Sequence, residues 1–448
     1  MASPTRGHSG HGGDIDGPEP IHTHVDEDML SVEEAYERIL GDFRALEAEE
    51  SPLLQAMGRV LAEDIYSPLD LPPLANSAMD GYAVLGNDIQ GAGKDAAVRL
   101  NVIGLAAAGQ VSTQQVTQGV AIRIMTGAPI PAGADTVVPF EETDEVRRRR
   151  SGQTLDQIEI LAGLPLGSNV RPAGEDVRDG ELVLEAGKPI RAAEVGVLAS
   201  LGLDSARLIR NPVVSILATG DELSPAGERL SPGKIYDSNS FSVAASVLAA
   251  GGIPRLLGVA RDNLEDLRGK LREADGSDLV ITSAGVSKGD YDIVKDVLTE
   301  MGEIHFWSVR MRPAKPLAFG HITAADGRLM PLLGLPGNPV SAMVAFEMFA
   351  RPAIRRMMGL RRLERPRVEG ILTGPIHNYD GRRVYARVEV TRKDGVYYAD
   401  PAGPQGSNIL TSMSRANGLA VCPEDLPKKD KGERVQILML DWNEEVDL

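Results

Sequence analysis

Cysteine is almost missing from this chain. Cys422 is the only one in 448 residues, so no intrachain disulfide and no all-cysteine metal site can form. A reducing compartment fits that usage. Aromatic residues make up only 4%, so the cores must be built from Val, Leu, Ile, Ala and Met. Basic charge is also short: 47 Lys plus Arg face 64 Asp plus Glu, a formal charge of −17. A field of that sign repels nucleic acid and anionic lipid at long range and keeps a surface solvated. An anionic ligand therefore needs a locally basic pocket. There is no uninterrupted apolar stretch of about 18 residues and no apolar run before a cleavage site near the N-terminus. The expectation is a cytoplasmic protein without membrane or nucleic-acid partners. HExxH, GxSxG, phosphate-loop and dinucleotide fingerprints are absent too, which argues against those chemistries.

A chain of this length suggests roughly two to four domains, and the pattern divides it. Residues 1–28 are rich in Gly, Pro, Asp and His (His8, His11, His22, His24) and read as a solvated, disordered tail rather than a metal site. Ser31, followed by Glu33, Glu34 and the apolar Ala35, Ile39 and Leu40, predicts a capped amphipathic helix to about residue 48. Prolines break 51–75 into extended pieces and turns. Residues 76–162 predict an all-β segment with strands near 98–103, 119–124 and 135–140, and with Arg147–Arg150 on an exposed loop. From about 192 to 361 strands alternate with helices: strands at 212–218, 254–259 and 278–283, helices at 239–250, 263–274 and 291–301, strands near 303–309 and 316–320, and a long helix from Pro339. Asp262 with Glu265 reads as a capping box for 263–274. This alternation predicts βαβ units around a mainly parallel sheet. Beyond 362 the pattern returns to β, with a hairpin at Lys393-Asp394-Gly395 and a closing strand at 434–440.

In open α/β sheets ligands bind beyond the carboxyl ends of the strands. Three such ends carry polar, Gly-containing loops. Thr219-Gly220-Asp221-Glu222 combines a sharp turn with a hydroxyl donor, and equally reads as a plain turn. Ser283 to Asp292, with Gly285, Ser287, Lys288 and Asp290, runs into a helix start where amides and a lysine favour an anion. Capping by Asp290 and a dipole role for Asp292 account for the same pattern. In Pro336-Gly337-Asn338-Pro339-Val340-Ser341, capping explains Asn338 and Pro339, while a helix start that bares amides makes an anion or pterin-amide cradle. Arg310, Arg312 and Lys315, stiffened by Pro313 and Pro316, supply positive field or form a solvated loop. Asp221, Glu222, Asp237, Asp290 and Asp292 are candidate Mg²⁺ ligands, although no spacing defines such a site. Cys422 reads as a packing residue.

Taken together these strings resemble one family, the MoeA-type molybdopterin molybdenumtransferases, which include the gephyrin E domain. The resemblance spans about 30–440 and rests on Asn76-Ser77-Ala78-Met79-Asp80-Gly81-Tyr82-Ala83, Arg123-Ile124-Met125-Thr126-Gly127-Ala128-Pro129, Gly174-Glu175-Asp176, Ala218 to Leu223, Ile235-Tyr236-Asp237-Ser238-Asn239, the loops 283–292 and 334–342, and Gln405-Gly406-Ser407. It implies a multidomain α/β and β fold. The 29–50 helix packs on an αβα molybdopterin-binding domain at 192–361, which has a mainly parallel sheet. A β domain at 76–162 is inserted into a small linking domain made of 51–75 and 163–191, and 362–448 forms a β-barrel-like C-terminal domain.

The implied activity is transfer of molybdenum from molybdate to adenylylated molybdopterin, with Mg²⁺ assisting release of AMP. The implied assembly is a homodimer whose active sites are shared between subunits, with a molybdopterin adenylyltransferase as upstream partner. Carried over by position, Asp80, Asp176, Glu194, Asp237 and Asp292 are the acidic catalytic positions, with Asp237 and Asp292 on the metal. Thr126, Thr219, Gly285, Ser287, Lys288, Arg312, Lys315, Pro336, Gly337, Asn338, Pro339, Ser341, Arg387 and Ser407 are the substrate-binding set. One departure stands out: Ala314 replaces the glycine common in the family's basic loop, and a positive φ there costs alanine about 1 kcal/mol. A scaffold, an adenylyltransferase and a non-catalytic paralogue are the competing readings. Nothing reads as a second fused domain or a long linker, which argues against the first; the full-length pattern argues against the second, and intact Asp292 and Lys315 against the third.

Overall fold

The computed structural model describes residues 29–261, 263–283, 297 and 299–442. Cα packing divides the chain into two compact units, Glu49–Leu208 and a second built from residues up to Ala48 and from Ile209 onward.

In the Glu49–Leu208 unit, a five-stranded sheet has the order Thr136–Pro139, Gly81–Val84, Val120–Ile124, Val98–Ala106, Gln157–Ile160. Alternation puts Tyr82 and Val84 on one face with Leu100, Ala121, Val138 and Ile158. Ala83 joins Ile122, Ile124 and Val137 on the other. The strand Gly81–Val84 is covered on both faces and buried throughout, whereas Val98–Ala106 and Gln157–Ile160 alternate with more exposed residues. Two short antiparallel ladders, Ile65–Tyr66 with Leu182–Leu184 and Asn76–Ser77 with Val170–Arg171, lie where the chain enters and leaves this sheet. A separate core of Leu53, Leu61, Ile65, Leu184, Leu198 and Leu208 lies beyond them. The segment is not all-β. The four-arginine run is the end of a short helix, Glu145–Arg150, where Arg147 and Arg148 bind Asp144 and Arg149 binds Glu145. Three ion pairs one helical turn apart hold a run that looks like a loop by composition.

In the other unit, the helix Val32–Gly41 begins with the expected capping box between Ser31 and Glu34. It ends earlier than its pattern suggests: Asp42 is the C-cap, and Phe43 packs on Phe319 with ring centroids 6.3 Å apart. Leu30 pairs with the 308–310 backbone, and the Leu46 amide donates to the Met357 carbonyl at 2.8 Å. The six-stranded sheet has the order Ile253–Ala260, Val213–Thr219, Leu279–Ser283, Leu329–Leu335, Pro316–Thr323, Gly302–Ser308. The first four are parallel and the last two antiparallel. Leu329–Leu335 is central, yet the apolar pattern does not announce it, because Pro331 and Gly334 interrupt a short run. The helix after Asn263 is capped by that residue, whose side chain accepts from the Asp266 amide, one position later than the capping box read at Asp262. Asp262 itself lies outside the described residues, as does most of 291–301.

The long helix from Pro339 runs to Met357 through a π-helical turn at Phe346–Ala350. Beyond it, Arg383–Lys393 pairs with both Val396–Pro401 and Gly418–Cys422. With Arg367–Leu372 and Arg434–Met439 this closes a five-stranded barrel. The hairpin holds two residues, Asp394 (φ 50°) and Gly395 (φ 81°), both left-handed as a type I′ turn requires. Cys422 is fully buried in the barrel core, and burial raises its thiol pKa, as suits a packing residue. No described helix is long and apolar enough to cross a membrane.

Candidate functional site

The parallel strands end at one rim of the second unit, and a cleft of about 1090 Å³ opens there. Its walls come from the sheet's carboxyl-end loops, the basic loop 312–316 and the barrel segments 375–387 and 401–408. Thr219, Asp237, Arg312, Lys315, Pro336, Gly337, Asn338, Pro339, Ser341, Arg387 and Ser407 all line it. Residues from three separate sequence stretches are thus brought to one cavity.

Asp237 is buried, and its Oδ1 accepts from the Ser240 amide at 3.0 Å, at the start of the Asn239–Ala250 helix. The neighbouring Asn239 side chain donates to the Gly337 carbonyl at 2.7 Å, tying the helix to the Pro336–Pro339 turn. The Asn239 Oδ1, the Ser240 Oγ and the Thr282 Oγ1 are buried without a partner among the described residues. Buried oxygens that find no donor are costly unless water, an ion or a ligand satisfies them.

The helix start at Pro339 is less bare than its sequence suggests. Pro339 has no N–H, and the Val340 amide is given to the Ser407 carbonyl at 3.1 Å. Asn338 stands at the N-cap without a side-chain capping bond. The loop 404–407 takes the place an anion would need on those amides.

That loop is held by Arg387. In the strand Arg383–Lys393, Val384, Ala386 and Val388 face the barrel core, so Arg387 projects outward. Its Nε donates to the Ser412 Oγ at 3.1 Å, and its Nη2 donates to the carbonyls of Pro404 (3.2 Å) and Gly406 (3.0 Å). Gln405 binds the Arg387 backbone in both directions, accepting from its N–H at 2.9 Å and donating to its carbonyl at 3.1 Å. Arg387 is 1% exposed, and among the described residues no carboxylate pairs with it. Burial alone pushes its pKa down to about 10. The cleft therefore contains a desolvated positive charge that has no carboxylate partner among the described residues.

Arg312 is differently engaged. Its Nη2 donates to the His377 carbonyl, its Nη1 lies 3.7 Å from Asp380, and its guanidinium stands 5.6 Å from the Tyr379 ring centroid. Arg382 also binds Asp380. Burial pushes the Asp380 carboxyl up, but the Arg382 bonds and the Arg382 and Arg312 charges leave it below its ordinary value. Among the described charged lining residues, Arg312, Lys315, Arg382 and Arg387 stand with two carboxylates, Glu222 and Asp237, so this described lining is basic within an acidic protein. His377, Tyr379 and Arg382 were not legible as site residues. Only the barrel's closure, which no local pattern encodes, brings them here.

Ala314 has φ 79° and is nearly buried, so the left-handed strain expected of an alanine in this loop is present. Relief of about 1–2 kcal/mol of strain competes with the loss of a buried methyl, worth about 0.8 kcal/mol. Ala314→Gly is expected to gain up to about 1 kcal/mol in urea unfolding. A lower midpoint would show that methyl packing outweighs the backbone.

The remaining positions lie elsewhere. Asp80, Thr126, Asp176 and Glu194 belong to the other unit. The Asp80 Oδ1 accepts from the Thr126 amide at 2.7 Å and hydroxyl at 2.8 Å. Those bonds, then the Arg123 charge, hold its carboxyl below the ordinary value against slight desolvation. Gly81 beside it is required, because a Cβ there would stand 2.0 Å from the Val138 carbonyl oxygen. Glu194 is buried and caps its own helix: it accepts from the Arg191 amide and guanidinium and pairs with Lys188 at 3.4 Å. The Arg191 bond lowers its pKa to about 2. This geometry gives Glu194 a capping role at its own helix. Asp176 makes no side-chain hydrogen bond among the described residues; its backbone amide donates to the Leu71 carbonyl. Gly285, Ser287, Lys288, Asp290 and Asp292 lie outside the described residues.

Three family models match the chain: "MoeA N-terminal region (domain I and II)" over 30–202, "Probable molybdopterin binding domain" over 215–356, and "MoeA C-terminal region (domain IV)" over 369–440. The chain is 37% identical over 417 residues to molybdopterin molybdenumtransferase 2 of Mycobacterium tuberculosis, covering 91% of this chain and 99% of that one. It is 34% identical to the molybdopterin molybdenumtransferase of Nostoc, covering 94% and 96%. The crystal structure of a molybdopterin biosynthesis MoeA protein from Pyrococcus horikoshii superposes with a TM-score of 0.77 at 31% identity, covering 92% of this chain and all of that one.

Proposed function

The chain belongs to the MoeA family, and from that premise we propose that it acts in molybdenum cofactor biosynthesis as a molybdenum insertase. It transfers molybdenum from molybdate to adenylylated molybdopterin and releases AMP. The observation that carries this reading is the buried Arg387, which has no carboxylate partner among the described residues of a cleft lined by further cations. A dianion such as molybdate is a counter-ion suited to that cation, and a preorganised cation in a desolvated site neutralises charge without reorganisation. Ser341, Ser407 and Lys315 line the same cavity and supply hydroxyl and ammonium donors for the oxyanion or the substrate phosphate. Holding molybdate beside the dithiolene makes the encounter effectively unimolecular.

The substrate's adenylate must come from an adenylyl-transferring enzyme acting upstream. Asp80, Thr126 and Asp176 reach the cleft from a second copy of the chain, so the homodimer is the working unit.

The oxygens around Asp237 fit Mg²⁺. One carboxylate oxygen is fixed by the Ser240 amide, and the adjacent Asn239 Oδ1 has no partner among the described residues. Mg²⁺ needs only one or two carboxylates besides phosphate and water. Asp237 and Asp292 would hold it, and when bound it supplies Lewis-acid polarisation of a phosphoryl oxygen.

The test is AMP release and cofactor formation when purified protein meets adenylylated molybdopterin, Mg²⁺ and molybdate, beside Asp292→Ala. Molybdate-dependent turnover that falls in the variant is expected. Tight pterin binding without turnover by the wild type would replace the insertase with a non-catalytic binding protein.

A further inference from the structure

His377 and Tyr379 stand on the barrel side of the cleft with their rings stacked, centroids 5.4 Å apart and planes 9° from parallel. Tyr379 is 64% exposed, and among the described residues its hydroxyl makes no hydrogen bond. An aromatic surface of this size is ordinarily buried, or presented where a ligand covers it. Nothing about this one is loose. His377 lies in the Ile376–His377 strand paired with Lys428–Lys429. The buried Asn378 between the two rings donates its amide to the Pro427 carbonyl at 2.8 Å and its side chain to the Pro423 carbonyl at 3.1 Å. Arg312 closes the arrangement by donating to the His377 carbonyl and resting on the Tyr379 ring. The rings are thus fixed by backbone and cation before any ligand arrives. Such preorganisation lowers the ordering cost of binding.

We infer that the His377–Tyr379 pair is a stacking subsite for a flat nitrogen heterocycle carrying a phosphate group. Every planar base presents a π-face that can stack on such a surface, and Arg312 beside it adds cation–π and phosphate-facing charge. The inference rests on the cleft being the substrate site. The expected substrate offers two heterocycles, the adenine of its adenylate and the pterin, and either has this chemistry.

Calorimetric titrations of the full chain with AMP, with molybdopterin under anoxic conditions, and with ribose 5-phosphate separate the possibilities. Tyr379→Ala and His377→Ala, each checked for an unchanged melting temperature, are expected to weaken one heterocyclic ligand by roughly 5- to 150-fold. Tyr379→Phe should bind it like wild type, and ribose 5-phosphate should bind all four proteins alike. Loss confined to AMP assigns the subsite to adenine, and loss confined to molybdopterin assigns it to the pterin. Unchanged affinity for both heterocycles, absence of wild-type binding to both, or an equal loss for ribose 5-phosphate overturns the inference. Turnover of the wild type, measured alongside, tests the insertase separately: a chain that binds AMP through Tyr379 but never inserts metal keeps the subsite and loses the reaction.

Discussion

Arg387→Met is expected to lower kcat/KM for molybdate-dependent turnover by about 100-fold or more, the scale on which a desolvated charge-stabilising group contributes. The guanidinium is buried, donates to two carbonyls and one hydroxyl, and has no carboxylate partner among the described residues. An isolated buried cation is costly in the empty protein, and binding an oxyanion repays that cost. Methionine fills much of the same volume and removes the charge, but it orphans the Pro404 and Gly406 carbonyls at about 1–3 kcal/mol each. Some stability is therefore lost as well, and thermal unfolding must be recorded beside the kinetics. Arg387→Lys separates the two effects. It keeps a point charge but cannot span both carbonyls and the Ser412 Oγ in one fork. If charge dominates, lysine restores much of the molybdate affinity measured by calorimetry. If loop placement dominates, lysine fails as methionine does. A methionine variant with near-wild-type kcat/KM would remove Arg387 from anion binding and leave it as a clamp on 404–407.

What could be read from the sequence followed its periodicity. The Asn239–Ala250 helix, the capping box at Ser31 and the Asp394-Gly395 turn are each specified by residues within one or two turns of chain. The parallel sheet was legible because buried strands and amphipathic helices alternate. Leu329–Leu335 was not, since a central strand interrupted by Pro331 and Gly334 leaves no period to follow. Local reading also overstated what charged and capping residues are free to do. Arg147–Arg150 resembled a solvated loop, yet Asp144, Glu145 and Glu159 engage three of the four arginines. The Pro339 helix start resembled an anion cradle, but Ser407, distant in sequence, supplies its carbonyl to the Val340 amide. The cleft residues that escaped, His377, Tyr379 and Arg382, sit in the barrel, where position depends on which strands close the ring. That closure is a long-range property and leaves no mark on spacing.

Glu145→Ala is expected to cost the Glu49–Leu208 unit about 3–5 kcal/mol, the range for removing one member of a buried ionic network. Glu145 is 3% exposed. It accepts from the Tyr82 hydroxyl at 2.5 Å, from Arg123 Nε at 3.2 Å and Nη2 at 3.0 Å, and from Arg149 Nε at 2.7 Å. Its loss leaves a fully buried phenol without an acceptor and a half-buried guanidinium without its anion. The exposed pair Arg99–Glu159 is the internal control, and Arg99→Ala should cost under about 1 kcal/mol. Hydrogen exchange in the strands Gly81–Val84 and Val120–Ile124 reads the difference where it arises. Burial raises the Glu145 carboxyl, but the bonds from Arg123, Tyr82 and Arg149 leave it below the ordinary 4.5. A depressed acid stabilises the fold fully above its unfolded pKa and loses that contribution as pH falls through the folded one. The gap between wild type and Glu145→Gln should therefore be widest near neutrality and shrink below about pH 4.5. Glu194, lowered to about 2, adds to the same acid sensitivity in both proteins. A gap that stays constant from pH 7 to pH 3 would mean that Glu145 titrates alike in the folded and unfolded protein, and a gap that grows as pH falls would mean that it is held neutral in the fold. Because Arg123 lies three residues before Thr126, whose amide and hydroxyl fix Asp80, Glu145→Gln should also lower kcat while molybdate affinity in the cleft stays unchanged. An equal loss of both would place the damage in the fold at large rather than at Asp80.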